Sequence, residues 1–294
     1  MATLAPATRR RAGDSVMPSS DLDALYKTRK ITLWVEDAFT RTYLTTAWEG
    51  SPDVTLALAG GCSHMAPLVE DARSRFSGLL VYALRDRDFG PTNRPRWKPA
   101  TPVFTTEVFE SENWTLDRDA FAAAQNINTA KRQASDIEAC LEEAASKMVW
   151  WLACRATLQD VRGLLVAEFP AHPKPGQIAS GSDARQFIVT SPWWSWARSS
   201  AGSLNHPWVD AKLEQHEVFY RDSIGRGAHL CDFSGKEPLQ ALLRIAWKDN
   251  GPPTLMEDAA REIAREQIAR SSLPPEVLEL QAVLRSALVP ASRL

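Results

Sequence analysis

Two aspartates one residue apart, Asp86 and Asp88, close an apolar run over 79–85, and an earlier apolar run over 30–35 ends in Glu36. A buried strand has no use for charge at its tip, whereas the carboxyl ends of central strands are where open α/β sheets keep their ligands. Carboxylates this close repel one another unless a cation lies between them. Hard oxygen donors select an ion of the Mg²⁺ or Mn²⁺ kind, which takes one or two carboxylates and completes its shell with water and substrate phosphate. Such an ion lowers the pKa of an attacking water, neutralises a scissile phosphate and orients in-line displacement. Glu36, Asp86 and Asp88 are therefore the expected ligands, with Glu36 also open to a general acid or base role. Glu112, in Ser111-Glu112-Asn113-Trp114, is a candidate fourth ligand. Lys236, in Ser234-Gly235-Lys236, is a candidate catalytic cation for transition-state charge. Each has a plainer alternative. Asp86 and Asp88 could cap helices or pair with Arg85 and Arg87, Asp37 after Glu36 reads as a helix cap, and Glu112 and Lys236 could be an ordinary surface acid and turn.

Other chemistries lack their residues. The five histidines show no HxxxH spacing, and neither a phosphate-cradling P-loop nor a GxSxG elbow occurs. Four cysteines lie far apart without a CxxC pair, as reduced thiols do. The formal net charge of −2 gives no global field for nucleic acid, so such a partner would need a local basic patch. Arg94, Arg96 and Lys98, in the proline-rich loop over 90–102, could supply one. Trp193, Trp194 and Trp196 could stack on bases, or anchor a core or an interface.

Elements must bring these residues together. Strands are expected over 30–36, 54–59, 79–85 and 103–108, with helices over 37–48 and 64–76 between the first three. Gly60-Gly61 lets the chain turn tightly at the second strand tip. The alternation predicts a parallel sheet flanked by helices, an α/β fold with right-handed crossovers. Beyond 117 the composition is mainly helical, with helices over 119–126, 136–156, 209–220, 239–247, 255–269 and 276–288, while 170–207 is rich in Pro, Gly and Ser. The expected organisation is a disordered tail over 1–28, a metal-binding core over 29–116, and a helical region over 117–294 whose segment 233–246 packs back on the core. No run of 18 or more apolar residues suggests a membrane helix, and a cytoplasmic protein is expected.

The order strand-Glu36, Gly60-Gly61, strand-Asp86-x-Asp88 resembles the TOPRIM domain of topoisomerases, primases and OLD-family nucleases. The run 35–44 (VEDAFTRTYL), Asp86-Arg87-Asp88-Phe89, Ser111-Glu112-Asn113-Trp114 and Ser234-Gly235-Lys236 are similar to a family of stand-alone TOPRIM-like bacterial proteins that includes PARIS-type defence effectors. The resemblance covers residues 30–116, and 233–246 more weakly. It implies a Mg²⁺-dependent (or Mn²⁺-dependent) endonuclease acting on tRNA or DNA in anti-phage defence, restrained by an ABC-type ATPase partner, and leaves a homodimer open. It equally allows a TOPRIM-shaped module that docks on the ATPase and cuts nothing. OLD-type nucleases carry a second acidic residue one helical turn after the first glutamate; here Thr40 stands there. Asp-x-Asp after a strand also occurs in haloacid dehalogenase-type phosphatases, but Gly90 occupies the position where those carry Thr or Val.

Overall fold

The structure, a computed structural model, describes residues 26, 31–49, 51, 53–75, 78–124, 133–165, 172–246 and 256–288. The expected tail apart from Tyr26, residue 30 of the first strand and the expected helix ends at 76, 125–126, 247 and 255 lie outside the described residues, as do 170 and 171.

Four parallel strands form one sheet: β1 (Ile31–Val35), β2 (Val54–Leu58), β3 (Val81–Arg85) and β4 (Val103–Thr105), in the order β2-β1-β3-β4. Val35 lies opposite Leu58 on one side and Leu84 on the other. β1 is buried at every position, the pattern of a parallel strand covered on both faces. Asp37 caps α1 (Ala38–Ala47), its Oδ1 accepting the Thr40 N–H at 2.8 Å. The chain thus leaves β1 toward β2. It then crosses back over β1 through α2 (Cys62–Arg75) to reach β3 on the far side. The two helices cover opposite faces: Phe39, Tyr43 and Leu44 of α1 share a core with Ile31, Leu33 and Val35, while Met65, Val69 and Ala72 of α2 pack with Trp34, Ala57 and Ala83. The winding direction reverses between β1 and β3, so the carboxyl ends of these two strands flank the crevice where such sheets bind ligands.

Three sequence expectations shift. Tyr26 falls inside the expected tail yet is buried, and its hydroxyl accepts the Trp34 indole N–H at 3.2 Å. A buried indole needs such a partner. β4 stops at Thr105 rather than 108. Past it, the Thr106 side chain takes the Arg87 N–H at 2.9 Å and the Glu107 N–H turns to the Glu276 carboxylate, which breaks the regular ladder. The helix expected from 239 begins at Lys236, because Pro238 sits in the first turn, where its missing N–H is not needed.

The remaining helices are α3 (Arg118–Ala123), α4 (Ala134–Leu165), α5 (Gly181–Val189), α6 (Trp194–Ser200), α7 (His206–Gly225), α8 (His229–Asp232), α9 (Lys236–Ala246), α10 (Met256–Arg270) and α11 (Pro275–Ser286). α4 outruns its expected end at 156 because Leu158 and Val161 continue its buried stripe. Within the proline-rich 170–207 stretch, α5 forms behind Ser180, whose side chain caps Asp183 N–H. Leu239, Leu242, Ile263, Val277 and Leu280 join the α1 face of the sheet in the main core. A second core forms where α4, α5, α6 and α7 meet Phe109 and Phe233. Trp194 is buried there, whereas Trp196 is exposed. No disulfide joins the four cysteines. Among the described residues, no helix is long and apolar enough to cross a membrane.

Candidate metal and phosphate site

Glu36 follows β1 and Asp86 follows β3, so adjacent strand tips carry both carboxylates to the crevice. Gly60 (φ 74°) and Gly61 (φ 136°) take conformations that L side chains rarely adopt. The turn they make brings the Cys62 amide to Glu36, where it and the Asp86 amide favour the charged form. Glu36 Oε2 is buried and has no hydrogen-bond partner. Asp86 Oδ1 accepts the Ser111 N–H at 3.0 Å. Asp88 holds a left-handed backbone (φ 49°), which Asp tolerates better than most residues, and its N–H donates to the Phe109 carbonyl at 2.8 Å.

The turn that holds Asp86 is itself clasped from the far end of the chain. Residues Ser111–Thr115 form a 3₁₀ turn, closed by reciprocal bonds between Glu110 and Asn113. The Asn113 amide donates to the Leu230 and Phe233 carbonyls, each at 2.9 Å. Glu110 Oε1 accepts the Ser234 hydroxyl at 2.6 Å and the Lys236 N–H at 2.7 Å, capping α9. Gly235 lies so close that a Cβ there would meet the Asn113 backbone nitrogen at 2.5 Å. Thr40 joins the same network, its hydroxyl 2.7 Å from that of Ser111. Ser234-Gly235-Lys236 is thus the clamp of a turn whose Ser111 N–H reaches the site.

These carboxyl groups cannot all be charged at once. Burial raises Asp86 well above the usual carboxylate range, and Glu112, Glu36, Glu110 and Asp37 push it the same way. Burial likewise raises Glu36, with Asp88 and Asp37 adding repulsion. Asp88 is raised by the protein around its carboxyl, even though solvent reaches the residue, and Arg155 partly offsets this. Glu112 is pushed up to about 8 by burial and by Glu110, with Lys236 pulling it down. Protons are one remedy for such a cluster; a divalent cation is the other.

The donor set has the chemistry of a Mg²⁺ site: oxygen ligands on two strand tips, one buried oxygen without a partner, and charge in need of neutralising. Among the described residues, no three His, Cys, Asp or Glu side chains are gathered closely enough to hold an ion as they stand.

Sequence reading missed the opposite wall. A pocket of about 370 Å³ opens at Asp86 and Asp88, and Arg85, Arg87, Arg155 and Arg162 line it too, with Gln159 and His172. Arg155 and Arg162 come from α4, some seventy residues on in sequence, and the packing of α4 with Phe109 and Phe89, past the tip of β3, brings them here. The Arg155 guanidinium sits over the rings of Phe89 and Trp151, 5.0 and 4.9 Å from their centroids. Arg87 donates to the Cys231 carbonyl at 3.0 Å and pairs with Asp232 at 3.3 Å. Four arginines and two aspartates line this pocket, a local gathering of cations in a chain of net charge −2. A spacing of seven, Arg155 to Arg162, places both on one helix face and was the available signal.

Of the expected residues, Asp86 and Asp88 line the pocket; Glu36, Glu112 and Lys236 do not. Glu36 is tied to the two aspartates electrostatically. Glu112 is buried and Lys236 exposed at the start of α9. Asp37 is the cap expected of it. The proline-loop cations are elsewhere: Arg94 pairs with Glu107 and Glu279, and Arg96 and Lys98 line a separate surface hollow. In comparison with known proteins, no family model and no curated protein matches this chain.

Proposed function

We propose that the chain is a metal-dependent phosphodiesterase, an endonuclease acting on tRNA or DNA. The observation that carries this reading is the gathering, in one pocket at the carboxyl end of β3, of Asp86 and Asp88 with four arginines. Glu36, Asp86 and Asp88 would hold Mg²⁺ or Mn²⁺. When bound, the ion supplies a water of lowered pKa and a counter-charge for the phosphate. Arg155 and Arg162 grip the phosphate, with Arg155 pre-set by its two rings. The raised Glu36 carboxyl, with Oε2 buried and without a partner, suits a group that takes a proton from the attacking water. Lys236 steadies the carboxylates through its charge on Glu112 rather than touching substrate. The resemblance of residues 30–116 extends the proposal to an anti-phage effector restrained by an ABC-type ATPase.

One observation favours a second reading, a docking module without catalysis: no three carboxylates stand close enough to hold an ion. Digestion of total tRNA and of plasmid DNA with added Mg²⁺ or Mn²⁺ separates the two. The phosphodiesterase reading predicts cleavage that falls at least about a hundredfold in Glu36→Ala and Asp86→Ala, the scale of losing an electrostatic catalytic group. Cleavage of neither substrate, or cleavage unaffected by both variants, decides for the docking module.

A further inference from the structure

A second pocket of about 300 Å³ opens directly beside the first. The two share Arg87, Asp88, Phe89, Gly90 and Gln159, so they are neighbouring compartments along one wall. Their chemistry differs. The first presents arginines. The second presents Phe219 and Tyr220, the amides of Gln159 and Gln215, and the Asp160–His216 pair. Phe219 is 45% exposed although large and apolar, and it stands edge-on to Tyr220 with centroids 5.1 Å apart. Asp160 Oδ2 is held by His216 Nε2 at 3.0 Å and by Lys212 Nζ at 3.2 Å, so its orientation is fixed before any ligand arrives. A flat aromatic face rimmed by amides and an oriented carboxylate is what a planar, hydrogen-bonding ring requires. Simple core packing does not account for an exposed phenylalanine at that rim.

We propose that this second pocket is a nucleobase subsite, which takes the unpaired base of the nucleotide next to the phosphate held by the arginines. The proposal rests on the phosphodiesterase reading and deepens it by naming the substrate class: a strand whose base at that point is unstacked and free to turn out. A base in an intact duplex cannot enter the pocket without the cost of unpairing. Phe219 stacks on the ring, Gln159 and Gln215 meet its edge, and Asp160 accepts from an exocyclic amine or ring N–H. Phe219, Gln215 and Asp160 are specificity-determining residues in this assignment and take no part in bond breaking.

The test is fluorescence anisotropy with the full chain and chelator present, so that no cleavage intervenes. The probes are a labelled single strand, the same strand with one abasic position, and its duplex. The subsite predicts that the single strand binds about tenfold more tightly than the other two, the scale of one stacked base. Phe219→Ala should erase that preference while leaving affinity for the abasic strand unchanged; its exposed position makes a folding defect a poor explanation, and circular dichroism checks it. Arg155→Ala should weaken all three probes alike. Equal binding of intact and abasic strands overturns the subsite but not the phosphodiesterase reading. A base preference that survives Phe219→Ala overturns the assignment to this pocket. Binding of no probe overturns both readings together.

Discussion

Glu276 shows how a single carboxyl links the far end of the chain to the site. It is buried on α11, where it accepts the Trp114 indole N–H at 3.0 Å and the Glu107 N–H. Trp114 belongs to the turn that holds Asp86. Burial raises Glu276 to about 7, against the pull of Trp114 and Arg94. A raised carboxyl means that the folded chain binds its proton more tightly than the unfolded chain does. The stability it contributes is therefore full below the ordinary carboxylate range and is lost as pH rises through about 7. Glu276→Gln cannot titrate. Between about pH 5 and pH 8 its unfolding free energy should fall less than that of the parent chain, by an amount on the order of 1–3 kcal/mol. Unfolding measured in parallel across that range checks this; equal slopes would show that folding does not shift the Glu276 pKa. Such a residue was not legible as important in the sequence, because an acidic residue in a first helical turn ordinarily serves as dipole-favoured surface charge.

Among the elements, β1 and α1 were the most legible because local pattern and burial agree there: an apolar run ending in a charge, then an acidic cap. The turn over 111–115 was legible only as a motif. Its role depends on contacts with residues 230–236, which no local pattern records. Gly235 is the sharpest instance, since its need for a missing Cβ comes from the Asn113 backbone across the fold. Gly235→Ala should cost about 1–3 kcal/mol through overpacking against a backbone that cannot yield. The damage should also reach the site, because the displaced turn carries the Ser111 N–H that holds Asp86. Asn113→Ala leaves the Leu230 and Phe233 carbonyls without their side-chain donor, at a cost of about 1–3 kcal/mol per buried group left unsatisfied. Urea unfolding measures both; a Gly235→Ala chain as stable as the parent would mean that the clasp is loose.

At the scale of the whole molecule, net charge says nothing of local patches. A chain of net charge −2 offers no long-range attraction to a polyanion, but folding gathers four arginines from two distant segments around one crevice. The carboxylates were readable because they sit at strand tips, where topology alone assigns a ligand position. Arg155 and Arg162 were not, because their place is set by how α4 packs with Phe89 and Phe109. The central claim is that this crevice holds a divalent cation through carboxylates led by Asp86. Calorimetric titration of Mn²⁺ into the metal-free chain, set beside Asp86→Asn with its fold checked by circular dichroism, tests that claim most directly. The account predicts saturable binding to the parent chain, weakened at least about tenfold in the variant, the lower end of the loss expected when a metal site is disturbed. No saturable heat with the parent chain, or equal affinity in the two proteins, would contradict it.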